Sequence, residues 1–355
     1  MNLKRPIAAL AMMALLSGCA HTSSYGGLFG GAPTESITAL EAMTLGGVKQ
    51  WVLMRGKKTS NPVVLFIHGG PGHAEMPMIR KHLQPLEEDF VVVTYDQRGA
   101  GKSYSSQIPK ESMTHEQLLE DAHELVLKLR QRFGVEKVHL VAHSWGTITG
   151  TLLAQRYPEL FHDYVGVAQW TDGVVRERTS YDLILDWAKH TLNTNAVREL
   201  EEIGPPPFSG PKAEDKLVTQ KNWLVKSGGF LYGQDNMNAF FLTVLGSGEY
   251  SLSNKLNLLN GIMFSTGAMW STSMTIDLTQ RVPELKVPVY FVAGRHDFNT
   301  PLSLIERYHH ALKAPKKQLV VFEKSAHSPY FEEPDAFIRF MRDTVKAGSD
   351  SRPTP

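Results

Sequence analysis

The chain has 355 residues, 37 Lys+Arg against 36 Asp+Glu, and a single cysteine. That length is ample for a sizeable core, and 42% hydrophobic with 21% charged residues excludes a globally disordered chain. A formal net charge of +1 gives no basis for nucleic-acid binding, and one cysteine can form neither an internal disulfide nor a C-x-x-C metal site.

The N-terminus, MNLKRPIAALAMMALLSGCA, sets Lys4 and Arg5 ahead of an apolar run from Ile7 to Leu16. Such a run has the length of a secretory signal and is too short for an ordinary membrane span. Leu16-Ser17-Gly18-Cys19 follows and resembles the bacterial lipoprotein lipobox. That resemblance implies cleavage before Cys19 and acylation of Cys19; a plain signal peptide with an incidental cysteine is the blander reading. Cleavage would discard residues 1–18 as signal peptide and leave 35 basic against 36 acidic residues, a formal charge of −1. No basic surface would remain to attract anionic lipid, so attachment to the bilayer would rest on the acyl chains. Ala20 stands where lipoproteins retained in the inner membrane often carry Asp, which favours the outer membrane if the cell has one. Residues 19–36, Gly- and Ser-rich from His21 onward and without apolar period, read as a flexible tether.

From Ile37 the pattern changes to short apolar runs alternating with longer stretches of helical period. Strands are predicted at 48–55, 63–67, 90–95, 138–142, 164–168, 288–293 and 318–322. Several are apolar on both faces, as buried parallel strands are. Residues 115–133 carry Leu118, Leu119, Leu125, Val126 and Leu129 at helical spacing, and Gly134 supplies a stop. The alternation predicts an α/β fold with a mostly parallel, doubly wound sheet, built from residues 37–170 and 286–348. It breaks over 171–285, which is helix-rich, punctuated by Pro205-Pro206-Pro207 and dense in aromatics. An insertion of this length is expected to be a packed helical cap, with most of its aromatics forming its own core.

Ala142-His143-Ser144-Trp145-Gly146 comes directly after a predicted strand and before a helical stretch. This is the pattern of a nucleophile elbow, with Ala in place of the usual first Gly. Small residues flank the Ser at two before and two after because the strand turns sharply into a helix there. Alone, the motif is weak; its strand-before, helix-after context raises its value. A serine hydroxyl needs a base, and the base an orienting carboxylate. Asp297, after the 288–293 strand, and His327, after the 318–322 strand, have the right types, order and placement. The fourth element is His68-Gly69-Gly70-Pro71-Gly72 after the 63–67 strand. It suits an oxyanion hole, assigned to the N–H groups of Gly70 and Trp145. A metal site at His68, His73 and His82 is the weaker alternative, since no H-E-x-x-H pattern accompanies them.

HGGPG at 68–72, Tyr95-Asp96-Gln97-Arg98-Gly99-Ala100-Gly101-Lys102-Ser103 and His143-Ser144-Trp145-Gly146-Thr147 together resemble the proline iminopeptidase family of α/β-hydrolases. The segments around Asp297 and His327 fit the same family, and the resemblance spans roughly residues 37–346. It implies an α/β-hydrolase fold with an inserted helical cap. It also implies a serine hydrolase, needing no cofactor or metal, that releases an N-terminal proline or other apolar residue from short peptides. Asp96 and Arg98 are expected to fix loops beneath the site. Such specificity calls for carboxylates in the cap to bind the substrate amine. Asp172, Glu177, Asp182, Glu199, Glu201, Glu202, Asp235 and Glu249 are available, with no sequence signal for which point inward. Two rivals stay open: a carboxylesterase or lactonase using the same triad, and a non-catalytic binding lipoprotein on a hydrolase fold. The oligomeric state is not set by the sequence.

Overall fold

The computed structural model of the chain describes residues 20–25 and 34–350. The signal segment and Cys19 lie outside the described residues. Eight strands form one sheet: β1 (Ile37–Leu45), β2 (Val48–Gly56), β3 (Val63–Ile67), β4 (Val91–Tyr95), β5 (Val138–His143), β6 (Phe161–Val167), β7 (Val289–Gly294) and β8 (Lys317–Phe322). Their order is β1-β2-β4-β3-β5-β6-β7-β8; β1 and β2 pair antiparallel, β2 meets β4 antiparallel, and β4 through β8 run parallel. The expected α/β architecture is what forms. β1 was missing from the expectation: on the sheet's edge it is only partly buried, so it lacks the continuous apolar run of its neighbours. Its signal was the Gly46-Gly47 pair, both with positive φ, which turns β1 into β2.

The helices beside the strands are α1 (Met76–His82), α2 (His115–Phe133), α3 (Gly146–Arg156), the inserted α4 (Gly173–His190), α5 (Thr194–Ile203), α6 (Ala213–Lys226), α7 (Asn238–Gly246) and α8 (Leu252–Met274), then α9 (Leu302–Ala311) and α10 (Pro334–Phe340). Period-two alternation divides the strands between two clusters. Val63, Leu65 and Ile67 join α2, α3 and α9 on one face, and Val64 and Phe66 join α1 and α10 on the other. Each such fully buried side chain contributes about 1.5–3 kcal/mol. The helix predicted at 115–133 forms as read. Thr114 caps its start by accepting from the Gln117 N–H, and Gly134 ends it in the left-handed region.

Between β6 and β7 stand five long helices. Tyr181, Ile184, Leu200, Trp223 and Leu224 give α4, α5 and α6 a cluster of their own. The expectation that most of the insertion's aromatics form its own core needs correcting: Tyr181, Trp187, Trp223 and Phe230 join that cluster. Phe264 packs on the sheet's cluster, Phe240 reaches the opposite one, and Phe241 is exposed. The reason is that α7 and much of α8 lie on the body: Met269 of α8 belongs to the sheet's own cluster, while Trp270 of α8 meets Arg176 of α4 and Lys221 of α6.

In the segment read as a flexible tether, residues 21, 22 and 25 hydrogen-bond to the body. The His21 N–H donates to the Gly248 carbonyl at 3.0 Å, Arg55 donates to the Thr22 hydroxyl at 2.7 Å, and the Tyr25 hydroxyl donates to Glu87 at 2.6 Å. Burial and the Glu87 carboxylate push the Tyr25 phenol well above its ordinary value.

Candidate active site

Ser144 follows directly on β5 and with Trp145 makes the turn into α3. The turn is tight enough to hold Ser144 at φ 51°, a conformation L-residues rarely adopt, with its N–H donating to the Val167 carbonyl at 2.8 Å. A Cβ on Gly146 would stand 2.2 Å from the His68 carbonyl oxygen, so glycine is required at that position. Ala142, the departure from the usual first Gly, is accommodated by Gly150 one turn into α3. A Cβ there would meet the Ala142 methyl at 2.6 Å.

Asp297 follows β7 and His327 follows β8, and the sheet brings both to Ser144. The distance from Ser144 Oγ to His327 Nε2 is 2.7 Å, and from His327 Nδ1 to Asp297 Oδ2 is 2.8 Å. All three are buried; Ser144 is the most exposed at 8%. Asp297 also accepts from the N–H groups of Asn299 and Thr300 and from the Thr300 hydroxyl. Burial by itself would raise its carboxyl, but His327 and Thr300 outweigh that and hold it below the usual carboxylate range. Burial lowers the His327 imidazole despite the Asp297 charge, so the ring is neutral near pH 7. A neutral imidazole with a carboxylate on Nδ1 and a hydroxyl on Nε2 can take a serine proton. Gly70, at φ 138°, lies on the loop after β3, and among the described residues neither its N–H nor that of Trp145 donates to another group.

Three further networks surround this chain of contacts. Gln97 grips the Gly-rich loop from below: its N–H donates to His68 Nε2 at 2.9 Å and its side-chain amide donates to the His68 carbonyl at 2.8 Å. With Nε2 accepting, His68 Nδ1–H donates to the Gly69 carbonyl at 2.7 Å, so neither ring nitrogen is left for a metal. Burial pushes its pKa down to about 4. Asp96 accepts from the Lys102 N–H and the Tyr250 hydroxyl, and Arg98 grips Asp121 with two hydrogen bonds of 2.8 and 2.9 Å.

The second network was not legible in the sequence. Glu75 Oε1 accepts from His143 Nδ1 at 2.8 Å and from the Gly69 N–H at 3.2 Å. His143 Nε2 faces the His327 carbonyl at 2.9 Å. Burial by itself would lower the His143 pKa, but Glu75 outweighs it and the ring is held above its ordinary value. With acceptors on both nitrogens, His143 is an imidazolium. It joins the Gly-rich loop to the His327 loop behind the serine. The two partners are 68 residues apart, and no local pattern links them.

The third network involves the inserted helices. Glu177 of α4 is buried and accepts from Arg176 at 2.9 Å, from Lys221 at 2.7 Å and from Gln220 at 2.9 Å. Lys221 also donates to Asn299 Oδ1 at 3.1 Å, which turns Asn299 Nδ2 toward His327 Nε2 at 3.1 Å. Of the eight carboxylates considered for amine binding, Glu177 is thus tied to the site, but two cations neutralise it. Asp172 caps α4, Glu199 accepts from the Trp223 indole, and Glu249 lies 3.6 Å from Arg80. Asp182, Glu201, Glu202 and Asp235 are exposed.

Residues 62–334 match the family model described as the alpha/beta hydrolase fold. The chain is 32% identical over 307 residues to a probable aminopeptidase of Bacillus subtilis (strain 168), covering 86% of this chain and 96% of the relative. It is 25% identical over 291 residues to a proline iminopeptidase of Heyndrickxia coagulans, covering 80% and 90%. The fold is similar to the crystal structure of a proline iminopeptidase-related protein of Thermus thermophilus. There the TM-score is 0.63 at 20% identity, over 89% of this chain and all of the other.

Proposed function

The chain belongs to the alpha/beta hydrolase family, in its proline iminopeptidase-like branch, and from that premise we propose that it is a serine aminopeptidase acting on short peptides. In this reading His327 Nε2 takes the Ser144 proton as Oγ attacks the amide carbonyl carbon. The N–H groups of Gly70 and Trp145 stabilise the oxyanion of the tetrahedral intermediate. Its collapse breaks the C–N bond, and the imidazolium gives its proton to the leaving amine. Water, deprotonated by His327, then attacks the acyl-enzyme and frees Ser144. The observation that carries the reading is the unbroken run of hydrogen bonds from Ser144 Oγ through His327 to Asp297. The substrates proposed are peptides with an N-terminal proline or other apolar residue, after the named relatives.

The test joins labelling to a substrate panel. A fluorophosphonate probe should label the wild-type protein and not Ser144→Ala, and Ser144→Ala should lose about 10⁴-fold or more in kcat. Prolyl β-naphthylamide should be cleaved, and its N-acylated form should not. A carboxylesterase or lactonase is the second reading, favoured by the neutralised state of Glu177, since a paired carboxylate is a poor receptor for an amine. Strong p-nitrophenyl ester turnover with no arylamidase activity would decide for it.

The reading includes export and acylation at Cys19, on the strength of the lipobox resemblance. Metabolic labelling with palmitate should be lost in Cys19→Ser.

A further inference from the structure

Among the described residues, seven of the thirteen exposed large apolar side chains lie on α7 and α8. On α8 they are Leu252, Leu256, Leu259 and Met263, spaced four, three and four residues apart, so they form one stripe. The stripe is on the side of α8 opposite Gly261, Ser265 and Met269, which pack on the body. Leu256 and Met263 are each 72% exposed. Phe241, Leu242 and Leu245 of α7 are exposed as well, and Phe240 and Val244 of α7 share an inner cluster with Leu258 of α8. Between Asp235 and Asp277 the charged residues are Glu249 and Lys255, and the Lys255 ammonium donates to the Leu245 carbonyl at 2.7 Å. A helix apolar on both its inner and outer sides belongs in a core or at a membrane. Scattered surface leucines need no explanation, but four apolar side chains on one side of α8 with three more on α7 do.

We propose that the outer face of α7 and α8 docks in the plane of a lipid bilayer. The occupant follows from where the chain leads. The His21 N–H is bonded to the Gly248 carbonyl, in the connection between these two helices, and Cys19 stands two residues before His21 in the sequence. An acyl group on Cys19 would therefore enter the membrane beside the stripe. Among the described residues no helix is long and apolar enough to cross a membrane, so the contact is interfacial. The inner side of α8 lies on the Gly-rich loop, where a Cβ on Gly72 would come within 2.8 Å of both the Gly261 carbonyl and Ser265. Docking then sets the Ser144 site about one helix diameter, ~10 Å, from the lipid.

The inference rests in part on reading Cys19 as a lipid attachment point, so its test uses the full chain carrying Cys19→Ser, which has no other cysteine. A polarity-sensitive fluorophore is placed at Leu256→Cys, at Met263→Cys or, as a remote control, at Leu192→Cys, which is 84% exposed on the loop after α4. Vesicles of phosphatidylethanolamine and phosphatidylglycerol should shift the emission of the first two to the blue. They should also protect both dyes at least severalfold from an aqueous quencher, and leave the third unchanged. Equal behaviour at all three positions, or no response at any, overturns the proposal. A shift produced by concentrating the protein without vesicles, with a dimer in sedimentation, also overturns it and assigns the stripe to a second copy. Absence of palmitate labelling in the wild-type protein, or labelling that persists in Cys19→Ser, would refute acylation at Cys19 and leave the vesicle result standing.

Discussion

In the proposed mechanism His327 must be neutral to accept the Ser144 proton, and burial holds its pKa below the ordinary imidazole value. The acid limb of kcat/KM should therefore fall below about pH 6.5, the unperturbed value. Asn299 Nδ2 faces the same nitrogen as Ser144 and, as a donor, favours the neutral ring. Asn299→Ala should move the acid limb to higher pH, read from the pH profile on an arylamide or ester substrate. An acid limb above pH 7 in the wild type would count against this account. Glu75→Gln removes the partner of the buried His143 imidazolium and should cost about 3–5 kcal/mol, measured by denaturant unfolding. The signs set the pH window. His143 is raised, so its contribution is complete below about pH 6.5 and fades as pH rises through its folded pKa. Glu75 is lowered, despite burial, by His143, so its contribution is complete above about pH 4.3 and is lost as pH falls through its folded pKa. The difference between wild type and Glu75→Gln should be largest between those limits.

Helix α3 meets β5 through a contact with no slack. In an exposed helix, Gly→Ala gains up to about 1 kcal/mol. At Gly150 the added methyl would meet the Ala142 methyl, so Gly150→Ala should instead destabilise by about 1–3 kcal/mol. The double variant Ala142→Gly with Gly150→Ala should recover most of that loss, as a thermal-unfolding cycle would show; no recovery would mean the clash lies elsewhere. The elements most legible in the sequence were those with a strong local signal. β3 is apolar on both faces, and α2 carries its apolar period together with both its caps. β1 was not legible, because an edge strand half-facing water has neither a continuous apolar run nor a clean alternation.

For the molecule as a whole, the inserted helices divide by what they pack on. α4, α5 and α6 share a cluster separate from the sheet, whereas Met269 ties α8 to the main core. Leu200→Ala should loosen α4–α6 and speed their amide hydrogen exchange while leaving β5 and β7 protected. Met269→Ala should lower global stability by about 2–5 kcal/mol and speed exchange throughout the sheet. Uniform loss of protection in both variants would show that the insertion and the sheet unfold as one unit.

The sequence by itself determined the α/β class, the triad candidates with their order, and the Gly-rich loop. Each of these is a local matter: a strand's apolar run, or the residue type at its carboxyl end. Only the tertiary structure decided which distant charges meet. It set Glu75 on His143, neutralised Glu177 with Arg176 and Lys221, and turned the apolar stripe of α8 outward. Pairings of this kind depend on how separate segments cross in space, and side-chain spacing along one segment carries no record of them. The single cysteine and the near-neutral charge with which the sequence opens excluded much. What the charges do in the site was decided by burial and partners rather than by their sum.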